Sequence, residues 1–236
     1  MELPILYEDA DLVAVAKPAG LITHSDGRTK EETAEEWFLE KYKVEVTDPP
    51  SSGYVHRLDR DTSGVLVFAK HAAAYTFLRK AFHDRDVKKE YLAFVYGAPK
   101  EKKGTIDFDI GRSRSDFRLR SAQPKAKGLL RDARTHFEVL AETTGYALLR
   151  MTPETGRTHQ IRVHLKAIHH PIVGDVLYAP NHPAALGIKR LGLHAYALDI
   201  PLPSGERTRI IAPVPGDLAP AFAHFPGAKA ALAALA

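Results

Sequence analysis

One stretch, from Gly53 to Lys70, constrains the fold of this chain more than any other. Its first half packs five ionisable side chains into six positions: His56, Arg57, Asp59, Arg60 and Asp61. Residues 62–64 then form a turn, and Val65 to Ala69 follow as a continuous apolar run. Such a run, bounded by Gly and Lys, predicts a strand that is buried on both faces. A charged loop anchored to a buried strand holds its side chains in fixed positions, as a functional site requires.

A solvated ion-pair cluster at the entrance of a strand is the simpler interpretation of these charges. Exposed pairs are common and contribute little to stability. The buried anchor and the mixed charges nevertheless favour a functional site, because side chains acquire perturbed roles in such settings.

Length and composition restrict the class of protein. A chain of 236 residues with 44% hydrophobic content can bury a sizeable core. The absence of cysteine excludes disulfides, thiolate metal sites and cysteine nucleophiles, and fits a cytoplasmic protein. The first ten residues are acidic and not a signal peptide, and no apolar run reaches membrane-spanning length. We therefore expect a cytoplasmic protein without a membrane segment.

The hydrophobic pattern predicts a mixture of strands and helices. Short apolar or alternating runs predict strands at Leu12–Ala16, Leu92–Tyr96, Thr135–Leu140, Tyr146–Met151, Tyr196–Ile200 and Arg207–Ile211. Helices are expected over Thr33–Tyr42, over an apolar stripe at residues 74, 77, 78, 81 and 82, and over an Ala-rich C-terminal segment interrupted by Pro226-Gly227.

Positive charge is concentrated between Gly111 and Arg134. Eight Lys and Arg residues there face only Asp116 and Asp132, although the whole chain carries a net charge of only +4. A patch of this kind neutralises phosphates and gains free energy from counterion release. We expect a hairpin or an extended loop that binds nucleic acid, with Arg118 and Arg120 among its contacts.

The segment from Pro153 to Leu165 predicts a second site. Thr158 can cap a helix whose buried face carries Ile161 and Leu165, with Arg162 on a different face. The helix N-terminus, with Arg157 beside it, is a candidate site for a phosphate or a carboxylate.

A metal site is not expected. His159 and His164 are five residues apart and do not share a helix face as a zinc pair would. His169 and His170 precede a proline at a helix exit, where a histidine interacts favourably with the helix dipole.

Several of these segments resemble motifs of one known family. The order His-Arg-Leu-Asp-Arg-Asp-Thr-Ser-Gly at residues 56–64 resembles the signature of the RluA-type RNA pseudouridine synthases. Lys-Pro-Ala-Gly-Leu at 17–21, Lys-x-Tyr at 89–91 and residues 153–165 resemble further motifs, in family order. Residues 171–175 and 193–195 resemble later segments of the family. Because the first motif begins within twenty residues, the resemblance implies a short form without the N-terminal accessory RNA-binding domain.

The resemblance implies a fold and a set of roles. The expected fold is α+β, a bent, mostly antiparallel mixed sheet flanked by helices, with two halves and the active cleft between them, in a single catalytic domain over residues 1–236. Asp59 corresponds to the catalytic residue, Arg162 to the arginine that pairs with it, and Tyr91 to the tyrosine that stacks on the uracil. Arg57 would fill the gap left by the extruded base, and Ile161 would be an apolar wall. The candidate substrate-binding residues are His56, Arg57, Ile161, Arg157, His159, Gln160, Arg118 and Arg120.

The reaction that the resemblance implies needs no cofactor, because no redox step or transfer to a second molecule occurs. The glycosidic bond of uridine breaks, and the base rotates and rejoins through carbon 5. The carboxylate could attack the ring or the anomeric carbon, or remove a sugar proton. The expected partner is transfer RNA or ribosomal RNA, and a monomer is expected.

Two other functions remain open from the residues alone. Asp59 and Asp61 lie roughly 6.5–7 Å apart in an extended segment, within range for an acid/base pair that hydrolyses a glycosidic bond. A hydrolase would release free base. A non-enzymatic, basic RNA-binding module is the other alternative, in which Asp59 would be structural.

Overall fold

The computed structural model describes residues 1–25, 31–42, 53–114, 116, 119–122 and 126–235. Twelve strands, four α-helices and one 3-10 helix form within these residues. In chain order they are β1 (Ile5–Glu8), β2 (Leu12–Lys17), α1 (Ala34–Tyr42), β3 (Ser63–Ala69), α2 (Ala72–His83), β4 (Lys88–Tyr96), β5 (Lys103–Asp107), β6 (Ile110–Ser113), β7 (Arg120–Ala122), β8 (Ala126–Arg131), β9 (Arg134–Thr143), β10 (Tyr146–Pro153), α3 (Gln160–Ala167), β11 (Leu193–Pro201), β12 (Arg207–Ile211), the 3-10 helix (Ala219–His224) and α4 (Ala228–Ala233).

The chain separates into two compact units. The first unit comprises Met1–Lys89 and Ala195–Pro213, and the second comprises Glu90–His194 and Val214–Ala236. The ladders within each unit are antiparallel. The protein is therefore α+β, with a mostly antiparallel sheet flanked by helices, as the sequence predicted. The bend of the sheet, the cleft and the single catalytic domain stay predictions.

In the first unit, the predicted buried strand is confirmed. All seven residues of β3 are buried, and the strand pairs with β2, which also pairs with β1. Gly64 has a φ of +127°, and a Cβ there would lie 2.1 Å from the carbonyl oxygen of Ala195. Only glycine allows this approach of two backbones.

Two helices lie in the described part of the first unit. Thr33 and Glu36 form a capping box at the start of α1, since each side chain accepts the other residue's N–H, at 3.1 and 2.9 Å. The apolar stripe of α2 is only partly confirmed. Ala74, Leu78 and Ala81 are buried, whereas Phe77 is 38% exposed. The buried residues repeat at spacings of four and three, which leaves position 77 at the edge of the packed face.

In the second unit, β10 lies between β4 and β9, and β5 pairs with the other edge of β9. Residues 135–140 and 146–151, both predicted as strands, lie in the antiparallel pair of β9 and β10, with Gly145 at a φ of +80° in the turn between them. The basic stretch is more regular than predicted. It forms a three-stranded sheet, in which β6 lies between β7 and β8, where a hairpin or an extended loop was expected.

The helix after Gly156 starts later than the sequence indicated. Its N-cap is His159, which has a φ of 58° and makes no side-chain cap, so Thr158 is not the cap. Ile161 and Leu165 are buried as predicted, but Arg162 is buried as well, at 3% exposure. The C-terminal segment is interrupted where the sequence predicted, since Gly227 has a φ of +83° and separates the 3-10 helix from α4.

Candidate active site

The backbone on both sides of Asp59 is held by hydrogen bonds within the first unit. Thr23 Oγ1 accepts the N–H of Leu58 at 3.2 Å and donates to the carbonyl of Leu58 at 3.0 Å. The carbonyl of Asp59 accepts the N–H of Thr62 at 3.1 Å, which closes the turn before β3. The loop is therefore fixed before and after the residue that the motif singles out.

Lys17 anchors the same loop from the end of β2. Its side chain is 1% exposed, and its Nζ donates to the carbonyls of Pro18, Leu21 and Arg60, at 2.9, 2.7 and 3.0 Å. A buried ammonium is costly unless its donors are satisfied. The Lys-Pro-Ala-Gly turn at residues 17–20 is therefore more than a chain reversal. Through the ammonium of Lys17 it holds the carbonyl of Arg60 in place.

The imidazole of His56 is held in one state by its surroundings. Its Nε2 accepts the N–H of Val67 at 3.1 Å, and its ring stacks on Phe82 with 4.6 Å between centroids. Burial, with a smaller effect of Lys89, lowers the pKa of His56 to about 3. The hydrogen bond requires an unprotonated Nε2, so the ring is neutral at pH 7 and carries its proton on Nδ1.

The charged side chains around Asp59 do not form one solvated cluster. Arg60 pairs at 2.6 Å with Glu31, which lies outside the segment. Arg57 is exposed and has no hydrogen bond or ion pair with any residue that the structure describes. An exposed, unpaired guanidinium next to a fixed loop is available to a ligand.

Tyr91 and Ile161 belong to the same apolar cluster of the second unit. Tyr91 lies opposite Met151 in the β4–β10 ladder and is half-buried against this cluster, which includes Ile161 and Leu165. The structure thus brings together the two residues that were predicted to contact the base.

Arg162 is fixed by a buried, bidentate ion pair with Asp175. Its Nε and Nη2 donate to the two carboxylate oxygens, each at 2.8 Å, and the two side chains are 4% and 0% exposed. Asp175 also accepts the N–H groups of Leu177 and Tyr178, at 3.1 and 3.0 Å. The pairing of Arg162 with Asp59 joins residues of the two units and stays a prediction.

Asp175 is a residue that the sequence reasoning did not place in the site. No role was predicted for it, although its segment, residues 171–175, resembles a later part of the family pattern. Gly174 before it has a φ of +75°, and a Cβ there would lie 1.9 Å from the carbonyl oxygen of Arg190. The Gly-Asp order was the available signal, since glycine is the usual residue where the chain adopts a positive φ or approaches another backbone closely, as Gly174 does.

Tyr178 connects α3 to the basic sheet. Its hydroxyl oxygen accepts the N–H of Arg120 at 3.0 Å and lies 2.9 Å from Nδ1 of His159. The guanidinium of Arg162 lies 5.1 Å from the ring centroid. This buried tyrosine therefore contacts three residues that were predicted to serve the site.

Gln160 and Arg157, two further predicted substrate-binding residues, also make internal bonds. Gln160 accepts from Thr155 Oγ1 and the N–H of Arg157, at 2.7 and 2.9 Å, and donates to the carbonyl of Arg134 and to Thr135 Oγ1, at 3.1 and 2.9 Å. These four bonds use the full capacity of its amide. The Nε of Arg157 donates to the carbonyl of Asp132 at 2.9 Å. Arg118 lies outside the described residues.

His164 is a structural residue of α3. Its Nδ1 lies 2.9 Å from Thr135 Oγ1 and its Nε2 lies 3.0 Å from the carbonyl oxygen of Phe108. Because a carbonyl only accepts, Nε2 carries the proton and Nδ1 accepts from the hydroxyl. Burial lowers the pKa of His164, which keeps the ring neutral.

Comparison with known proteins identifies the family. A model described as RNA pseudouridylate synthase matches residues 11–167. The chain is 41% identical over 221 residues to an uncharacterized RNA pseudouridine synthase of Mycobacterium bovis, covering 92% of this chain and 70% of that protein. It is 40% identical over 224 residues to a ribosomal large subunit pseudouridine synthase D of Nitrosomonas europaea, covering 92% of this chain and 63% of that protein. The chain therefore belongs to the RNA pseudouridine synthase family, whose members are isomerases.

Solved structures agree with this assignment. The chain resembles the human RNA pseudouridylate synthase domain containing 4, with a TM-score of 0.75, 26% identity and coverage of 94% of this chain and 92% of that one. The human domain containing 1 gives a TM-score of 0.73 at 29% identity, with coverage of 91% and 84%. No helix in the described part of the chain is long and apolar enough to cross a membrane.

Proposed function

We propose that this protein converts specific uridines of structured RNA to pseudouridine, with Asp59 as the catalytic carboxylate. The observation that carries the proposal is the family motif at residues 56–64, whose Asp59 lies in a loop held on both sides by Thr23 and Lys17. A fixed carboxylate is what an isomerase needs, because the bond to the ribose must break and re-form without loss of the base.

The second unit supplies the predicted partners. We propose that the guanidinium of Arg162, held from one edge by Asp175, pairs with Asp59 through its remaining donors. Tyr91 and Ile161, which pack in one cluster, would hold the extruded uracil, since a base must leave its stack to react. Arg57, exposed and unpaired in the described chain, would occupy the gap in the RNA.

The proposed reaction needs only the chain's own residues. The bond between N1 of uracil and the ribose breaks, carbon 5 forms the new bond to the ribose, the proton on carbon 5 is released and N1 takes up a proton, so the product is an isomer; Tyr91 is the candidate group that handles the proton of carbon 5. We propose that residues 1–236 act as one catalytic domain, as a monomer in the cytoplasm.

Ribosomal RNA is the first substrate to test, and transfer RNA the second. Relatives such as that of Nitrosomonas europaea are named for the large ribosomal subunit. The basic three-stranded sheet, with Arg120 on β7, supports a large polyanionic substrate of this kind.

The experiment that tests the proposal measures tritium release from RNA labelled at carbon 5 of uridine. The wild type, Asp59→Asn and Asp61→Asn are compared on ribosomal and transfer RNA. We expect release by the wild type and by Asp61→Asn, and a loss of at least about 1,000-fold in Asp59→Asn, because the carboxylate is removed at nearly constant shape.

Other results would contradict the proposal in distinguishable ways. Free uracil among the products would indicate a hydrolase, and equal losses in both variants would support a pair of acting carboxylates. Undiminished release by Asp59→Asn would exclude Asp59 as the catalytic group.

A further inference from the structure

The three-stranded sheet of the second unit carries a row of three cations. Arg112 in the central strand β6 lies directly opposite Arg120 of β7 on one side and Lys127 of β8 on the other. Residues directly opposite in an antiparallel ladder project from the same face of the sheet. With strands spaced 4.7–4.9 Å apart, the row spans roughly 9.5 Å. We call Arg120, Arg112 and Lys127 the cation row.

The cation row is not compensated within the described chain. Arg112 and Lys127 are exposed and Arg120 is half-exposed, and none of the three has an ion pair with a described carboxylate. Like charges directly opposite each other destabilise a sheet. Folding alone therefore gives no reason for this arrangement.

The larger ladder of the same unit shows the usual arrangement. Lys103 and Arg150 both lie opposite Glu138 and pair with it, and Arg134 lies opposite Asp107 and pairs with it at 2.7 Å. Cations at cross-strand positions there face carboxylates. The contrast indicates that an external anion compensates the cation row.

The cation row lies on the face of the small sheet that packs against α3. Ile110 is two residues before Arg112 and thus on the same face, and it lies opposite Ala122. Both are buried in a cluster with Val163 of α3 and Tyr178. The row continues this face beyond the buried cluster, and the N–H of Arg120 is bonded to the hydroxyl of Tyr178.

We propose that the cation row binds the phosphodiester backbone of the RNA substrate, at about two or three consecutive phosphates. This proposal rests on the proposed function for its ligand. Guanidinium groups recognise phosphate oxygens bidentately, and a straight row of cations fits a chain of regularly spaced phosphates better than an isolated anion. The contacts are to the backbone, so they position the RNA without reading its sequence.

The test neutralises the row and measures binding to ribosomal RNA at several salt concentrations. The variant Arg112→Gln/Arg120→Gln/Lys127→Gln is compared with Lys100→Gln/Lys189→Gln/Lys229→Gln, whose three exposed lysines lie elsewhere in the same unit. We expect the row variant to lose on the order of 100-fold in affinity at 0.1 M salt, and its salt slope to fall by about two units. The control variant should retain the wild-type slope.

Activity and stability give two further readouts. At saturating RNA the row variant should retain kcat within about threefold while KM rises, because uniform binding is lost. Its Tm should not fall, since the repulsion between opposed cations is removed. The variant Arg112→Lys/Arg120→Lys keeps the charges and should keep the salt slope.

The outcomes separate this proposal from the proposed function. An unchanged salt slope in a folded row variant overturns the proposal that the cation row binds RNA, even if tritium release establishes the isomerase. A flattened slope without tritium release from any RNA supports the row as an RNA site and overturns the proposed reaction. Equal losses in the row and control variants indicate general charge attraction and overturn the assignment of a site.

Discussion

At the scale of single residues, two bidentate Arg–Asp pairs in the described part of the second unit differ in burial. Arg162 and Asp175 are buried, whereas Asp217, the partner of Arg190, has a side chain that is 56% exposed. Both pairs join Nε and Nη2 to a carboxylate at 2.8 Å. Breaking a buried pair leaves an uncompensated charge, but an exposed charge is solvated by water.

This contrast gives a prediction for Asp175. Asp175→Asn should lower kcat by at least about 100-fold with little change in KM, because Arg162 loses its fixed direction but no RNA contact is removed. It should also cost about 3–5 kcal/mol of the free energy of unfolding. Urea unfolding and single-turnover tritium release under folding conditions measure the two effects.

Asp217→Asn is the matched control for this variant. It removes the same type of hydrogen bond from a pair whose carboxylate is 56% exposed and whose guanidinium is 14% exposed. It should therefore cost less of the free energy of unfolding than Asp175→Asn, with an unchanged kcat. If both variants reduce kcat alike, the effect of Asp175→Asn is not specific to Arg162, and Asp175 is not its positioning residue.

Residue roles could be proposed from the sequence only where a motif carried them, and these roles stay predictions. The segment at 56–64 singled out Asp59 and Arg57, because its order of residues is specific. The sequence did not predict that Lys17 and Asp175 hold other residues of the site in place. The partners of Lys17 are carbonyls and the partner of Asp175 is a guanidinium, and the fold brings these groups together. The carbonyl of Arg60 is 43 residues away from Lys17 in the chain. Sequence spacing contains no information on such contacts.

At the scale of elements, β3 follows directly from its sequence. The run Val65–Ala69 predicted a strand buried on both faces, and all residues from Ser63 to Ala69 are buried. The apolar pattern fixes this outcome because only the centre of a covered sheet tolerates five consecutive apolar side chains. The start of β3 depends on Gly64, where there is no room for a side chain.

Gly64→Ala should therefore be strongly destabilising. The new Cβ would lie 2.1 Å from the carbonyl oxygen of Ala195, and the φ of +127° is unfavourable for alanine. We expect a loss of at least about 3 kcal/mol in the free energy of unfolding. Gly205→Ala is a suitable control, because Gly205 also has a positive φ but has open space at its Cβ position. Similar losses in both variants would mean that backbone conformation, and not the contact with Ala195, dominates.

Other elements were predicted less well. The start of α3 was placed at Thr158, but the left-handed conformation of His159 delays it by one residue, and no short-range pattern indicated that conformation. The basic stretch was expected to be a hairpin or a loop, because its many charges mask the strand pattern. Its strands form through the register with β6, which is a property of the pairing and not of any one segment.

At the scale of the whole molecule, titration of His56 links pH to stability. Its pKa in the folded protein is about 3, below the ordinary value of 6.5. Above pH 6.5 the ring is neutral in both states, and its contribution to stability is complete. Below that value the unfolded chain takes up a proton that the folded protein does not, so stability falls as pH falls towards 3, by up to about 1.4 kcal/mol per pH unit.

The prediction is a steeper acid loss of stability in the wild type than in His56→Gln. Glutamine can still accept the N–H of Val67 but does not titrate. Urea unfolding at pH 7, 5.5 and 4.5 gives the free energy of unfolding of the two proteins. The amount by which the wild type is more stable than His56→Gln should decrease as the pH falls. His164 has a lowered pKa of the same origin and titrates in both proteins, so it does not affect the comparison. A constant difference across the series would show that His56 contributes nothing to the pH dependence.

The ammonium of Lys17 has a consequence for chemical reactivity. An amine that is 1% exposed and donates to three carbonyls offers no lone pair to an acylating reagent. Lys100, Lys189 and Lys229, by contrast, are exposed, and we expect them to be acylated first. Acylation of Lys17 therefore requires that the turn at residues 17–21 first separates from the carbonyl of Arg60. The rate at which Lys17 is acylated therefore measures how often the loop that carries Asp59 opens.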